Sequence, residues 1–382
     1  MTVDPTQEHR RRENSPRFGS SRELTILSHL LLPKRTGTAF PGPTAEITED
    51  REIREIRSRE AEDVLALAQS HHVIVRALQA FLGSTASAGN GDSVQWAAAA
   101  LENERGRIKK ALSFLQRICD RLEAEGCDAT VIKSLDHWPD LGSDLDLYTN
   151  AEPAKVVGIM QKSFNASLAA RSWGDRLANK WNFIVPGLPE LVEVHMGRLG
   201  QTGEHVSLAN SLVARARSIK IEGHIFRVPA AEDRLIICTL QRMYRHFYVR
   251  LCDIVDTAKL LETEPIDYDS LRSSAQEAGI WEGVATFLAI VSDYTESYCG
   301  EGLNLASSVT AAARFDGDQI WFGDGFLRVP ILPHSARLYA SELAALFLKG
   351  ELSSTVRLSL LPCLATAAAI GQKITGSDKG IW

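Results

Sequence analysis

The most informative part of the sequence is Val131-Ile132-Lys133-Ser134, followed after nine residues by Asp144-Leu145-Asp146-Leu147. Because side chains alternate between the two faces of a β-strand, Asp144 and Asp146 are predicted to share one face while the two leucines pack into the core. The Cα atoms of the two aspartates would lie about 6.6 Å apart, from two rises of about 3.3 Å each. Carboxylates at this spacing can bind one or two hard divalent cations, which prefer oxygen ligands.

A second alternating stretch, Val192-Glu193-Val194-His195-Met196, supplies a third carboxylate. Glu193 and His195 are predicted to share the face opposite the apolar residues. A single acidic strand is commonly a solvated edge, but three carboxylates on two strands are what two-metal phosphoryl transfer requires. The combination favours a metal site formed by Asp144, Asp146 and Glu193. Two interpretations of His195 stay open, a structural histidine and a nitrogen ligand.

Helical periodicity dominates both sides of these strands. Apolar residues at helical spacing predict long helices over Glu62–Leu82 and Val94–Glu125. Leu24–Leu32 could form a short docked helix in an otherwise polar N-terminal segment. From Pro229 onward the pattern is helical again, and Val356–Ile370 is predicted to be a buried helix because it is too short for a membrane span.

The strand-like stretches are short and lie in the middle of the chain, at residues 129–132, 145–148, 181–185 and 191–196, with a hairpin of 219–221 and 225–228. This order predicts an α+β protein with a small mixed β-sheet core flanked by N-terminal and C-terminal helical regions. The predicted divisions are a flexible tail (1–48), an N-terminal helical region (49–128), the sheet core (129–228) and a C-terminal helical domain (229–382).

Composition limits the possible classes of function. The 382 residues contain 42 Lys and Arg against 48 Asp and Glu, a net charge of -6, which argues against a broad nucleic-acid-binding surface. The six cysteines form no CxxC pair and show no metal-like spacing, and no apolar segment follows the N-terminal charges. The chain is therefore predicted to be a reduced, cytoplasmic protein without a membrane span.

Basic residues cluster in one predicted helix, Glu232–Leu261. The apolar side chains of this helix form a buried stripe, and its remaining surface carries Arg242, Arg245, His246 and Arg250. The three arginines are predicted to bind a polyphosphate. A solvated basic face that pairs with acidic neighbours is an equal alternative.

Residues next to the two acidic positions are further candidates for phosphate binding. Lys133 could bridge a triphosphate as a point charge, or it could pair with the acidic residues and take the position of a metal ion. The Ser134 hydroxyl could bind a phosphate oxygen or cap a turn. The turn at Gly142-Ser143 could bring backbone amides to a phosphate, so Ser143 is also a candidate.

The spacing from Ile132-Lys133-Ser134 to Asp144-Leu145-Asp146-Leu147 resembles the hG(G/S)-x(9–13)-Dh(D/E)h signature of the polymerase-beta-like nucleotidyltransferase superfamily. The layout over roughly residues 60–300 is similar to an uncharacterised bacterial nucleotidyltransferase family, which has a vLKG strand, a DiDL strand and a later strand ending in histidine. This resemblance implies transfer of a nucleoside monophosphate from a nucleoside triphosphate such as ATP, with Mg²⁺ or Mn²⁺, to an acceptor. It implies that Asp144 and Asp146 are metal ligands and that Glu193 is the third ligand or general base.

Departures from the family pattern keep a non-catalytic alternative open. Lys133 stands where the superfamily signature has its first glycine, and Glu193 replaces the commoner aspartate. A degenerate nucleotide-binding or scaffold protein is therefore the alternative to an enzyme. Glycosyltransferases and haloacid-dehalogenase-like phosphatases also carry a DxD motif, but they place it at the end of an apolar strand, whereas a turn precedes it here. The acceptor, whether a small molecule, a protein or a tRNA, stays open.

Overall fold

The computed structural model describes residues 21–32, 58–85 and 91–375. The helices are α1 (Arg22–Leu31), α2 (Ser58–Ser70), α3 (Ile74–Thr85), α4 (Gly91–Ala124), α5 (Pro153–Phe164), α6 (Trp173–Leu177), α7 (Val206–Arg215), α8 (Ala231–Thr239), α9 (Leu251–Thr263), α10 (Tyr268–Glu277), α11 (Trp281–Cys299), α12 (Ser307–Ala312), α13 (Ala336–Leu348), α14 (Leu352–Ser359) and α15 (Leu361–Thr375). The strands are β1 (Thr130–Val131), β2 (Asp144–Thr149), β3 (Ser167–Leu168), β4 (Lys180–Ile184), β5 (Leu191–Met196), β6 (Arg217–Ile221), β7 (His224–Val228), β8 (Tyr248–Val249), β9 (Trp321–Gly323) and β10 (Phe326–Arg328). Tighter 3-10 turns span Ser134–His137 and Gly317–Gln319, and wider π-type turns span Leu240–His246 and Ile331–Ser335.

Five strands form the central sheet in the order β1-β2-β5-β4-β3. β2 and β5 run parallel, while the other neighbouring strands are antiparallel, so the sheet is mixed. The α+β prediction is confirmed, and the predicted strands agree with the observed ones to within two residues. The hairpin of β6 and β7 forms a separate two-stranded sheet.

The two faces of the central sheet differ in chemistry. Leu145, Leu147, Val192 and Val194 are fully buried on one face, where they share an apolar core with α3, α4 and α5. Burying a side chain of this size contributes about 1.5–3 kcal/mol. The alternate residues of β2 and β5 point to the opposite face, so their carboxylates emerge on one side of the sheet.

A second apolar core lies among the C-terminal helices. Its largest group of buried side chains comes from α8, α9, α10 and α11, and α1 and α2 join it through residues such as Leu24 and Ala68. The N-terminal helices are divided between the two cores: α4 packs on the sheet, whereas α3 contributes Val75 and Leu78 to the sheet core and Ala77 to the second core. The predicted short helix near Leu24–Leu32 is confirmed as α1, and the rest of the predicted tail 1–48 lies outside the described residues.

Two helices that were predicted to be continuous are interrupted. The helix over Glu62–Leu82 is divided into α2 and α3 near His72, which has a left-handed backbone with φ 54°. The helix over Glu232–Leu261 is also broken: α8 leads into the π-type turn, Phe247 is left-handed with φ 52°, and α9 begins only at Leu251. The apolar spacing continues across each break, which is why periodicity alone predicts one helix.

The region after Pro229 is less uniformly helical than predicted. It contains a three-stranded sheet, β8-β10-β9, whose strands are too short to show an alternating pattern. The stretch Val356–Ile370 spans parts of α14 and α15, and both Val356 and Ile370 are more than half exposed, so the prediction of a single buried helix is wrong. Across residues 21–32, 58–85 and 91–375, the helices fall short of the length and apolarity needed to cross a bilayer.

Candidate active site

Three acidic side chains converge where β2 and β5 lie side by side. The parallel register places Asp146 directly opposite Glu193, and Asp144 lies two residues earlier on the same face of β2. His195 follows on β5, with its Nε2 2.8 Å from Glu193 Oε1 and 3.7 Å from Asp146 Oδ1. The structure thus gathers side chains that are about 50 residues apart in sequence on one face of the sheet.

Two lysine ammonium groups lie among these carboxylates. Lys133 Nζ contacts Asp146 Oδ1 and is 3.5 Å from Glu193 Oε1. Lys180 Nζ is 3.0 Å from Glu193 Oε2 and 2.9 Å from Asp175 Oδ1. Lys133 is among the site residues predicted from the sequence, and Lys180 is not. Lys180 enters the site because β4 pairs with β5, and its position at the start of a strand paired with the Glu193 strand is the only sequence signal for it.

Lys133 reaches the carboxylates because the chain turns sharply directly after β1. Its backbone has φ 59°, in the left-handed region that favours glycine, and glycine is the residue that the superfamily signature has here. The 3-10 turn that follows is fastened to β2 by Ser134. The Ser134 hydroxyl accepts a hydrogen bond from Asp146 N at 2.8 Å and donates one to Asp144 O at 3.1 Å.

Burial and neighbouring charges change the protonation of the acidic side chains. Burial, together with the charges of Asp146 and Glu193, raises the pKa of Asp144 to about 6. Burial also opposes ionisation of Glu193, but Lys133, His195 and Lys180 outweigh it and hold the pKa of Glu193 well below its usual range. Burial disfavours the Lys133 ammonium, yet Asp146 and Glu193 raise its pKa. The cluster is therefore strongly charged at neutral pH.

The donor set of this cluster fits a divalent cation. One ligand atom from each of Asp146, Glu193 and His195 lies within 4.8 Å of the other two. Asp144, Asp146 and Glu193 carry like charges on one face of the sheet, so a bound divalent ion would offset their mutual repulsion. Because the Lys133 ammonium lies between Asp146 and Glu193, it must move aside for an ion that both carboxylates hold.

The arginines predicted to bind a nucleotide are dispersed. Arg245 is partly buried and lines a narrow cleft together with Lys133 and His195. Arg242 is only 1% exposed, and its Nε is 2.7 Å from Asp253 Oδ2, so it is an ion-paired residue of the interior. The expected basic surface of three aligned arginines is therefore wrong, because Arg242 is buried and the break at Phe247 separates Arg250 from Arg245.

The two remaining candidates lie outside this cleft. The Arg250 guanidinium lies 5.6 Å from the ring of Tyr248 and 5.7 Å from that of Phe326, on the small C-terminal sheet. Ser143 is exposed and lines a cavity of about 260 Å³ that also contains Arg107 and Glu190. Whether either residue contacts a nucleotide stays a prediction.

Residues 57–295, well over half of the chain, match the model of a family described as an uncharacterised nucleotidyltransferase. The chain belongs to this nucleotidyltransferase family, and the matched region contains all of the convergent acidic residues. A crystal structure of an antigenic nucleotidyltransferase-like protein from Paracoccidioides brasiliensis is similar at 15% sequence identity and a TM-score of 0.36, over 52% of this chain and 95% of that chain. The comparison with curated proteins gave no match.

Proposed function

We propose that the chain is a metal-dependent nucleotidyltransferase that transfers a nucleoside monophosphate from a nucleoside triphosphate to an acceptor. The observation that carries this proposal is the pairing of Asp146 with Glu193 across two parallel strands, with Asp144 on the same face. Membership of the nucleotidyltransferase family supports the type of reaction. The oxygen-rich donor set supports the metal dependence.

Three carboxylates are assigned to the ion. Asp144, Asp146 and Glu193 would hold Mg²⁺ or Mn²⁺, since hard cations prefer carboxylate oxygen. Bound there, the ion would orient the triphosphate and offset the charge that develops on the transferred phosphoryl group. Ser134 takes a positioning role in this proposal, because its hydroxyl is already bonded to the backbone of β2.

Lys133 changes partner during nucleotide binding. In the free protein its ammonium balances Asp146 and Glu193, and its flexible side chain turns to a triphosphate oxygen when the nucleotide enters. Arg245, on the wall of the same cleft, supplies a second cation to the triphosphate. Lys180 remains with Asp175 and keeps Glu193 in place.

The reaction requires one bond to form and one to break. An acceptor hydroxyl oxygen bonds to the α-phosphorus, while the bond from this phosphorus to the oxygen that bridges to the β-phosphate breaks, and its electron pair leaves with pyrophosphate. Glu193 is already contacted by three basic side chains, which stabilise its ionised carboxylate. No hydrogen bond to the Asp144 carboxylate is found within the described residues, so we assign the acceptor's proton to Asp144 in place of Glu193, which the family resemblance implied as the general base.

A nucleotide-binding protein without transferase activity is the second candidate. The position of the Lys133 ammonium favours it, because a cation of the protein itself already lies between Asp146 and Glu193. Under this alternative a nucleoside triphosphate raises the melting temperature but no product forms.

The test is incubation of the full chain with each α-labelled nucleoside triphosphate and Mg²⁺, Mn²⁺ or a chelator, with label scored on the protein, on RNA and on a metabolite extract. We expect metal-dependent labelling that falls by about 100-fold or more in Asp144→Asn and Asp146→Asn, because each variant loses a carboxylate ligand of the ion that acts on the phosphoryl group. Asp63→Asn, on an exposed part of α2, is the matched control. Full turnover by either site variant would falsify the assignment.

A further inference from the structure

A second group of ligand side chains lies near the carboxylate cluster and is separate from it. His72, His137 and Cys252 each offer one ligand atom, and these atoms all lie within 4.8 Å of one another. The three residues come from the corner between α2 and α3, the end of the 3-10 turn after Lys133, and the first turn of α9. The sequence shows no metal-like spacing for these ligands, because they lie far apart along the chain, with 115 residues between His137 and Cys252.

His137 has the orientation expected of a metal-binding histidine. Its Nδ1 is 2.6 Å from Asp256 Oδ2, and Arg76 Nη1 donates to the other oxygen of Asp256 at 2.5 Å. This leaves His137 Nε2 facing Cys252 Sγ at 4.0 Å. Metal-ligating histidines commonly donate their second N–H to a carboxylate. A tetrahedral zinc ion with bonds of about 2.0 and 2.3 Å separates its nitrogen and sulfur ligands by roughly 3.5 Å.

The backbone holds His72 and Cys252 close together without an ion. His71, the neighbour of His72, accepts a hydrogen bond from Leu251 N at its Nδ1 (2.9 Å), and its carbonyl accepts one from Cys252 N (3.3 Å). The His72 ring lies edge-on to the His137 ring, with 5.7 Å between the ring centroids. His72 Nδ1 is buried without a hydrogen-bond partner, which is a cost that the fold normally avoids.

We propose that His72, His137 and Cys252 bind one Zn²⁺ ion, with Asp256 as the residue that orients His137. Imidazole and thiolate are ligands that zinc prefers, and three protein ligands leave a fourth tetrahedral position. On binding, the Cys252 S–H bond breaks, a sulfur–zinc bond forms, and the proton leaves to solvent.

The zinc ion would stabilise the turn that presents Lys133. His137 ends this turn, and Ser134 at its start is bonded to β2. Zinc would tie the turn to α9 and to the corner between α2 and α3. The thiol-containing site and the carboxylate cluster suit different ions, since soft ligands select zinc and carboxylates select magnesium. The inference holds whether or not the chain transfers nucleotides.

The first test is the metal content of the purified full chain, measured by mass spectrometry after exposure to Zn²⁺ and dialysis. We expect about one zinc per chain, bound more tightly than about 1 μM. Replacement of zinc by Co²⁺ should give a thiolate-to-cobalt charge-transfer band. The carboxylate cluster cannot give that band, because it contains no thiol.

Variants identify the ligands. Cys252→Ser and His72→Gln should each weaken zinc binding by about 100-fold or more, and Cys252→Ser should abolish the cobalt band. Cys238→Ser is the matched control, because Cys238 Sγ, like Cys252 Sγ, lies 3.8 Å from Asp253 Oδ1 but Cys238 is not one of the three ligands. Wild-type chain that gives no cobalt band overturns the proposal even if a variant fails to fold. So does a Cys238→Ser variant that loses the band.

Discussion

Asp146 of β2 lies opposite Glu193 of β5, and the Lys133 ammonium is held between their two carboxylates. Carboxylates brought this close in a buried setting require a cation, because their repulsion is only weakly screened. Lys133 supplies that cation from within the chain. Under the proposed function, binding of a divalent ion at this place would exchange one cation for another and would release Lys133 toward the cleft that it lines.

Replacing Lys133 should have opposite effects on two properties: it should lower the stability of the metal-free protein and raise the affinity of the site for a divalent ion. Without divalent ions, Lys133→Met should lower the free energy of unfolding by about 3–5 kcal/mol, since buried carboxylates lose a partner. Mg²⁺ should then raise the melting temperature more than in wild type, because no ammonium has to be displaced. Thermal unfolding in chelator and in Mg²⁺ measures both effects, with Lys162→Met at an exposed lysine as the control. An equal Mg²⁺ response in variant and wild type contradicts the exchange.

Two arginines close together in sequence should behave differently. Arg242→Met leaves Asp253 unpaired in the interior and should cost about 3–5 kcal/mol of stability. Arg245→Gln, on the wall of the cleft, should fold normally and raise the KM for the nucleoside triphosphate by about 10-fold or more, as expected for one charged hydrogen bond. Urea unfolding and steady-state kinetics separate the two outcomes. The assignment fails if Arg245→Gln leaves KM unchanged, or if Arg242→Met is as stable as wild type.

Lys180 should act by positioning Glu193. Lys180→Met removes the contact of 3.0 Å to Glu193 Oε2 and also leaves Asp175 without its ammonium partner. We expect kcat to fall by about 10-fold to 100-fold with a smaller change in KM, because Lys180 holds a metal ligand and does not contact the triphosphate. Lys180→Arg should recover part of the loss. If Lys180→Met changes KM alone, Lys180 contacts the nucleotide and the positioning role is incorrect.

A buried acid–base pair predicts how stability depends on pH. His205 Nε2 is 2.8 Å from Glu342 Oε1, Glu204 lies 3.8 Å from the same nitrogen, and Glu351 adds further negative charge. Burial raises the pKa of Glu342 from 4.5 to about 7. Burial opposes protonation of His205, but Glu342 outweighs this and raises the pKa of His205 above 6.5.

The folded chain therefore retains protons at this pair that the unfolded chain releases. The free energy of unfolding should decrease as the pH rises from 4.5 through about 7 for Glu342, and further as the pH passes the raised pKa of His205. Each kcal/mol lost should lower the melting temperature by about 2–4 °C. Glu342→Gln should flatten the pH profile, whereas Glu301→Gln at an exposed position should not. A melting temperature that rises over this range, or an unchanged slope in Glu342→Gln, contradicts the prediction.

The prediction from sequence succeeded where the information is local. Alternation along β2 and β5 is enough to place Asp144 and Asp146 on one face and Leu145 and Leu147 on the other, because successive side chains of a strand must point to opposite sides. The same rule predicts that Glu193 lies on the face of β5 opposite to the face of its apolar neighbours. The α+β class followed from the order of short strands and long helical stretches, and the family resemblance was confirmed over residues 57–295.

Tertiary structure alone decided which of these faces meet. The parallel register of β2 with β5 brings Asp146 to Glu193, and the antiparallel pairing of β4 brings Lys180 to the same carboxylate. Packing against α9 pairs Arg242 with Asp253 in the interior. The three proposed zinc ligands likewise meet only after separate segments pack. Periodicity describes the conformation of neighbouring residues, whereas register and packing depend on contacts between distant segments, and a single sequence does not encode those contacts as a local pattern.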